Sequence, residues 1–356
     1  MDLENLDDLE KQTILHIAVK NNDEDMVRLI LSQPNVDVNV FSSSNNTALH
    51  LIAEYKNSFE TYELDCQALG ILKLLVNHPL IDVNVKKISV TPQNKHIKEN
   101  LFICQAPIHA IVNNNNDKFL RVLLSHPNID INSKYICKKQ NGHEYGFEKS
   151  KIEIGTALHM AFCNHNSKII KCLLHCLKTD INSKFQIIYQ KNKVSLENEY
   201  CFLPHVFDVG HVFVCQKKTD EHLDKSSYTN IYSSLDKNEN ILQITGMTVL
   251  HLAIKENDMD TINLLLKNRN LDINETMSIK FKNGTKSGIT ALHMAIETEN
   301  FDVANLLLKN DEIDINAFMI INHEKMQYQV TPLHLASMTR NTKIFHKLYL
   351  AGASHV

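Results

Sequence analysis

A four-residue phrase ending in histidine recurs along the chain and is followed at a fixed distance by a second phrase, Asp-Val-Asn or Asp-Ile-Asn. In five of the six units that contain both phrases, the Asn lies 23 residues after the His. A fixed register of this kind indicates a repeated structural unit, which buries its apolar side only against neighbouring copies of itself. The seven histidines of the first phrase are His16, His50, His109, His159, His251, His293 and His334.

Between the two phrases the apolar residues follow a helical spacing twice. In the first unit, residues 14–18 form one short apolar face, and residues 26–31 form a second one after a polar break at residues 21–23. Six units place an Asn six or seven residues after the motif His, where the first helix reverses into the second. Asn tolerates the left-handed backbone conformation better than other non-glycine residues, so we expect it to make this turn. These residues are Asn22, Asn116, Asn166, Asn257, Asn300 and Asn341.

The phrases resemble the ankyrin repeat, whose hallmark T-P-L-H-x-A is present unchanged at residues 331–336. Near-copies occupy residues 13–18, 156–161, 248–253 and 290–295. The resemblance implies an all-α solenoid of seven stacked helix–turn–helix repeats, each followed by a β-turn or hairpin. It also implies that the motif Thr caps the first helix and that the motif His bonds to neighbouring turn backbone, which gives these histidines a structural role.

The distance from the Asn of one unit to the His of the next shows where extra residues are inserted. It is 11 residues from Asn39 to His50, 18 to 27 residues in four other cases, and 69 residues from Asn182 to His251. Loop-closure entropy grows slowly with length, so a helical stack tolerates such insertions. We therefore predict repeats 1–4 in residues 1–183, an insertion in residues 184–245 and repeats 5–7 in residues 246–356. A further insertion falls inside the second unit, at about residues 55–68.

The long insertion differs in composition from the repeats. Residues 185–189 and 211–215 are rich in β-branched and aromatic side chains, which is typical of strands, whereas residues 219–240 are polar and charged. We expect an extended hairpin with a flexible return. A degenerate eighth repeat is the alternative, although the insertion contains no Thr-x-Leu-His phrase.

Two groups of residues have the chemistry of metal ligands. Cys201, His205, His211 and Cys215 form a C-x3-H-x5-H-x3-C arrangement, and zinc accepts such ligands. The central spacer is shorter than in ordinary zinc fingers and no C-x2-C knuckle is present. We therefore predict no metal and no cofactor, with these four residues as the alternative. Cys172 and Cys176 are interpreted as small apolar thiols that fill a second helix.

Charge and hydropathy exclude several classes of protein. The 37 Lys and Arg residues against 41 Asp and Glu give a net charge of −4, which does not predict nucleic-acid binding, and the basic clusters at 95–98 and 138–139 are interpreted as solvated loops. No segment approaches the ~20 continuous apolar residues that span a bilayer, and the first ten residues lack the pattern of a signal peptide. Because no catalytic or phosphate-binding motif is present, we predict that the protein is not an enzyme. We also predict a monomer in the cytoplasm or nucleus.

The function predicted from these observations is that of a protein–protein interaction scaffold or adaptor. A solenoid presents a long preformed surface, so binding orders little of the protein. Two alternatives stay open: an enzymatic or metal-binding module in residues 184–245, and a paralogue with no specific partner. We expect the partner to contact non-consensus positions at the ends of the first helices, namely Lys20, Asn21, Glu54, Tyr55, Asn113, Asn114, Cys163, Asn164, Lys255, Glu256, Glu297, Thr298, Met338 and Thr339.

Overall fold

The structure is a computed structural model that describes residues 13–56, 62–88, 101–144, 147–192, 241–282, 284–323, 326–338 and 342–353. In these ranges the chain forms seven pairs of helices, one pair for each motif histidine. The first helices are α1 Ile14–Lys20, α3 Ala48–Ala53, α5 Pro107–Asn113, α7 Ala157–Cys163, α9 Val249–Lys255, α11 Ala291–Glu297 and α13 Pro332–Met338. The second helices are α2 Glu24–Leu31, α4 Tyr62–Val76, α6 Asp117–Leu124, α8 Ser167–Leu174, α10 Met259–Leu266, α12 Phe301–Leu307 and α14 Thr342–Leu350.

The chain forms two compact units, Met1–Lys138 with Ile154–Asp180, and Lys139–Glu153 with Ile181–Val356. Within the first unit, the first helices α1, α3, α5 and α7 pack on one another in chain order, and the second helices α2, α4, α6 and α8 do the same. Within the second unit, α9, α11 and α13 form the row of first helices, and α12 packs on α14. These helices thus bury apolar surface against the equivalent helix of the next repeat, as the repeat pattern predicts.

The start of each first helix is fixed by the motif histidine. In all seven repeats the backbone N–H three residues before the His donates to its Nδ1, at 3.0–3.4 Å. In the sixth repeat the N–H of His293 also donates to Oγ1 of Thr290, at 3.3 Å. These bonds satisfy donors that the first turn of a helix leaves free. The predicted capping role of the motif Thr is confirmed in four repeats, where Oγ1 of Thr13, Thr47, Thr290 or Thr331 accepts from the N–H of the motif His. Thr156 and Thr248 make no such side-chain cap bond, and Ala106 of the third repeat lacks the hydroxyl.

Two adjacent positions make the turn between the helices of a repeat. The residue six after the motif His has a φ of 52° to 56°, and it is Asn22, Asn115, His165, Asn257 or Glu299. The next residue caps the second helix: Asn116, for example, accepts from the N–H of Phe119 at 3.1 Å. The expected left-handed Asn is confirmed at Asn22 and Asn257. The same expectation was wrong for Asn116, Asn166 and Asn300, which are N-caps, and Asn341 lies outside the described residues.

The segments between repeats form antiparallel strands. The strands are β1 Lys87–Ile88, β2 Leu101–Gln105, β3 Lys134–Glu144, β4 Phe147–Thr156, β5 Phe185–Asn192, β6 Ile241–Met247, β7 Thr276–Phe281, β8 Gly284–Thr290, β9 Met319–His323 and β10 Met326–Val330. In the first unit β1 pairs with β2 and β2 with β3, and in the second unit β5 to β10 pair in chain order.

The all-α fold class predicted from the sequence is therefore wrong, although the predicted hairpins are present. Each hairpin offers an open edge to the next one. Lateral pairing satisfies the backbone N–H and C=O groups of both hairpins, which isolated loops would leave to solvent. This pairing joins residues of different repeats, so the pattern within one repeat does not reveal it.

The two unusual insertions have different structural outcomes. α4 has 15 residues, whereas α2 has 8, so extra residues of the second repeat lengthen its second helix. In the long insertion, β5 confirms the strand predicted at residues 185–189. Residues 193–240, which include the predicted strand at 211–215, lie outside the described residues.

The Asp-x-Asn phrase joins consecutive repeats through side-chain amides. Asn274 donates to the carbonyl of Glu312 at 2.7 Å and accepts from the N–H of Asp314 at 2.8 Å. The same two bonds are made by Asn39, Asn84, Asn132 and Asn182 to their following repeats. The phrase recurs because each copy holds the turn of the next repeat in register.

Candidate protein-binding surface

The residues predicted to contact a partner differ widely in exposure. Two of them, Glu297 and Met338, are buried, and Thr339 lies outside the described residues. The exposed members are Lys20, Asn21, Asn113, Glu256 and Thr298. The half-buried members are Glu54, Tyr55, Asn114, Cys163, Asn164 and Lys255.

Two of the three glutamates of this set, Glu54 and Glu297, bind hairpin lysines. In the second unit, Nζ of Lys286 in β8 lies 3.5 Å from Oε1 of Glu297, with side chains only 2% and 6% exposed. In the first unit, Lys87 of β1 forms the equivalent ion pair with Glu54 and donates to Oδ1 of Asn46 at 2.9 Å. Both glutamates lie four residues after a motif His. A glutamate at this position of the repeat therefore attaches a hairpin strand to the C-terminal end of a first helix.

The strands of the second unit bury one side of the sheet. The cross-strand partners Ile187, Ile244, Ile279, Lys286, Ile321 and Tyr328 form a row across β5 to β10. Every member of this row is at most 8% exposed. Because Lys286 reaches Glu297, this row faces the C-terminal end of α11. All seven residues of α11 are buried, which is consistent with the sheet covering that end of the helix.

The opposite side of the same strands carries a row of mostly polar side chains. Ile188, Gln243, Lys280, Thr285, Asn322 and Gln327 are cross-strand partners in β5 to β10 and are half-buried or exposed. A second, shorter row next to it contains Ser287, Ile320 and Gln329. We call these two rows the polar face. The amide of Asn322 donates to Oγ1 of Thr285 at 3.0 Å, which links two adjacent strands on this side.

The polar face was not predicted from the sequence, although the residue pattern of one strand indicates it. The strand Met326–Val330 alternates strictly, with Gln327 and Gln329 exposed and Tyr328 and Val330 buried. Alternation of this kind predicts a strand with one solvated side. The register shifts within β5/β6, β6/β7 and β7/β8 hide the same pattern in the other hairpins.

The motif histidines are bonded to backbone. Nε2 of His251 lies 3.2 Å from the carbonyl of Ile289, and Nε2 of His293 lies 3.1 Å from the carbonyl of Val330. Because Nδ1 accepts the N–H at the helix start, Nε2 carries the proton and donates to the next repeat. The predicted bond from the motif His to neighbouring backbone is confirmed for these repeats.

Burial keeps these histidines neutral. Desolvation lowers the pKa of His109, His251 and His293 to about 4. Desolvation, together with the charge of Lys87, lowers the pKa of His50 to about 4 as well. Each ring is thus a neutral structural connector at physiological pH.

Two expectations from the sequence concern metals and membranes. The residues named as an alternative zinc site, Cys201, His205, His211 and Cys215, lie outside the described residues. Among the residues that the structure does describe, no cluster of three or more His, Cys, Asp or Glu side chains could hold a metal ion. No helix in this part of the chain is long and apolar enough to cross a membrane.

Comparison with known proteins gives one consistent family. The family model "Ankyrin repeats (3 copies)" matches residues 223–319 and 282–355. The model "Ankyrin repeats (many copies)" matches residues 3–52, and the matches together cover about half of the chain. No curated protein matches the sequence.

Solved structures with a similar arrangement are ankyrin repeat proteins. The ankyrin repeat domain of Bcl-3, described as a unique member of the IkappaB protein family, has 17% sequence identity and a TM-score of 0.49, over 95% of this chain and 98% of that chain. The ankyrin repeat protein EF0377 has 17% identity and a TM-score of 0.42, over 83% of this chain and 96% of that chain. On the family matches and the recurrent motif together, the chain belongs to the ankyrin repeat family.

Proposed function

We propose that the protein is a binding scaffold that holds a protein partner against the polar face of its second unit. Ankyrin repeats generally mediate protein–protein interactions and typically do not catalyse reactions. The observation that carries the proposal is the two-sided sheet, whose buried row is fixed to the first helices while its polar rows are open to solvent.

The geometry of the sheet suits partner recognition. Neighbouring strands hold their side chains about 4.8 Å apart, so the row from Ile188 to Gln327 presents donors and acceptors at fixed spacing across six strands. Backbone pairing has already ordered these strands, so less backbone conformational entropy is lost on binding. Lys280 is the single charged residue in this row, and a surface with few charges has little desolvation penalty.

The exposed residues at the ends of the first helices remain a separate prediction of where a partner binds. Lys20, Asn21 and Asn113 are exposed in the first unit, and Glu256 and Thr298 in the second. Glu54 and Glu297 are assigned instead to attachment of the hairpins. The proposal therefore moves the expected contact from the ends of the first helices to the hairpin strands of the second unit.

The test is affinity capture from the native cell with quantitative mass spectrometry, using the full chain and two variants of equal charge. Gln243→Arg/Gln327→Arg places two bulky cations on the polar face. The control Asn263→Arg/Glu312→Gln changes the net charge by the same amount at exposed residues away from the face. We expect a partner that the wild type and the control retain and that the polar-face variant loses at least about tenfold.

Two results would contradict the proposal. One is that no protein is retained above background by the wild type. The other is equal retention by all three proteins, with far-UV circular dichroism showing that each is folded.

A further inference from the structure

A groove lies between two second helices of the first unit, on elements that the proposed function does not use. It has a volume of about 880 Å³ and runs between α6 and α8. Its lining includes Asp117, Arg121 and Leu124 from α6, and Lys168, Lys171 and Cys172 from α8.

The groove is basic, in contrast to its neighbours. α6 and α8 together carry four cations, Lys118, Arg121, Lys168 and Lys171, against one carboxylate, Asp117, which gives a net charge of +3. By comparison, α2 carries Glu24, Asp25 and Arg28 and is net negative, as is α4 with Glu63, Asp65 and Lys73. In a chain of net charge −4, positive charge is therefore concentrated at one place in the row of second helices.

Two of these four cations are not neutralised by any described residue. Arg121 lies 3.9 Å from Asp117, a loose i,i+4 pair in which the arginine side chain is 68% exposed. Lys168 and Lys171 are exposed, and neither forms an ion pair with any described residue. They lie three residues apart on α8, which places them on the same side of the helix.

The floor of the groove adds apolar and hydrogen-bonding character. Leu124 and Cys172 contribute apolar surface between the charged side chains. Nδ1 of His175 lies 2.6 Å from the carbonyl of Lys171, so that nitrogen carries a proton and Nε2 is left for another contact. Ser125 at the same end donates its hydroxyl to the carbonyl of Val122 at 2.7 Å.

We propose that the groove between α6 and α8 binds an acidic segment of a partner protein, with carboxylates on Lys168, Lys171 and Arg121 and an apolar side chain against Leu124 and Cys172. This site is distinct from the polar face, and its charge specifies the chemistry of the segment that it binds. Opposite charge favours encounter and orientation, and the apolar floor adds affinity that is insensitive to salt.

A peptide suits the groove better than a nucleic acid does. No Phe, Tyr or Trp side chain lines it, so bases have no large aromatic ring on which to stack. The three cations Arg121, Lys168 and Lys171 form a local cluster, whereas nucleic acid favours a continuous basic stripe. The apolar floor matches alternating acidic and apolar side chains of a polypeptide.

The experiment uses the full chain as bait for a displayed library of random 16-residue peptides. Recovered peptides are synthesised and their binding is measured by fluorescence anisotropy. The test variant is Lys168→Glu/Lys171→Glu, and the matched control is Lys267→Glu/Lys309→Glu, which makes the same charge change at exposed lysines of the second unit.

We expect recovered peptides to be richer in Asp and Glu than the input library. They should bind the control like the wild type and bind the Lys168→Glu/Lys171→Glu variant at least about tenfold more weakly. Binding should also weaken as ionic strength rises from about 0.05 to about 0.5 M, because the charges are exposed.

Three results would overturn the proposal: no enriched peptide, enriched peptides without an acidic excess, or equal binding to the charge-reversed variant. A labelled single-stranded RNA and inorganic phosphate are tested alongside. If they bind the groove and peptides do not, the site is assigned to another class of ligand. The variant Gln243→Arg/Gln327→Arg should retain the peptides, so this result is separable from the test of the polar face.

Discussion

A lysine at the centre of a buried row is the least expected residue in the second unit. Lys286 is 1% exposed among Ile279, Ile321 and their neighbours, and its ion partner Glu297 is also buried. Removal of one member of a buried pair leaves the other charge uncompensated, whereas replacement of both members is often tolerated. The pair therefore contributes more to the position at which the hairpin attaches than to the stability of the fold.

Lys286→Met should destabilise the second unit by about 3 kcal/mol, because Glu297 loses its cation in a buried site. The double variant Lys286→Met/Glu297→Met should recover most of that loss. Urea unfolding of the singles and the double measures the coupling between the two positions. If the double variant loses the sum of the two single losses, the residues do not act as a pair.

Four buried histidines should make the protein sensitive to acid. Their folded pKa is about 4, below the unfolded value of 6.5. Below pH 6.5 the unfolded chain gains protons that the folded protein does not, so stability is complete above that pH and falls until about pH 4. Each histidine should contribute about 2 kcal/mol of loss between pH 7 and pH 5.

Urea unfolding at pH 7, 6 and 5 measures this loss. His251→Gln serves as the comparison, because it removes one titrating ring and should reduce the pH dependence while lowering stability at pH 7. A free energy of unfolding that is constant from pH 7 to pH 5 would contradict the neutral, buried state of these rings.

At the scale of single elements, the helices were predictable and the strands were only partly so. The motif His and the residue three positions before it determine where each first helix begins, and these positions are readable from the sequence. Sequence reasoning did not separate the left-handed position, six residues after the His, from the N-cap position that follows it, because Asn suits both. Lateral pairing of β8 with β9 depends on contacts between residues of different repeats, which no local pattern contains.

The left-handed position of the sixth repeat is occupied by Glu299, with a φ of 54°. A non-glycine residue there is strained by about 1 kcal/mol. Glu299→Gly should therefore raise the free energy of unfolding of the second unit by up to about 1 kcal/mol, while Glu299→Ala should leave it nearly unchanged. Thermal and urea unfolding report the difference, and equal stabilities of the two variants would argue against the assigned backbone conformation.

The Asn bridges determine how strongly one repeat depends on the next. Asn274→Ala removes both of its bonds to the sixth repeat, at Glu312 and Asp314. We expect a loss of about 1–2 kcal/mol and faster amide hydrogen exchange in α11 and α12 than in α9. Uniform exchange across these helices, unchanged from the wild type, would show that the bridge does not couple the repeats.

For the molecule as a whole, the repeat family could be predicted from the sequence, but the candidate surface could not. The predicted contacts were chosen as non-consensus residues at the helix ends. For Glu297 this choice was wrong, since its side chain is buried against Lys286 of β8. The polar face is built from residues 188 to 329, and only the cross-strand register brings them together.

Cross-linking mass spectrometry of the complex with the captured partner tests the central claim most directly. Lys280 belongs to the polar face, whereas Lys267 and Lys309 lie at the ends of second helices in the same unit. We predict that amine-reactive cross-links from the partner reach Lys280 and not Lys267 or Lys309. Cross-links confined to Lys267 and Lys309 would contradict binding at the polar face.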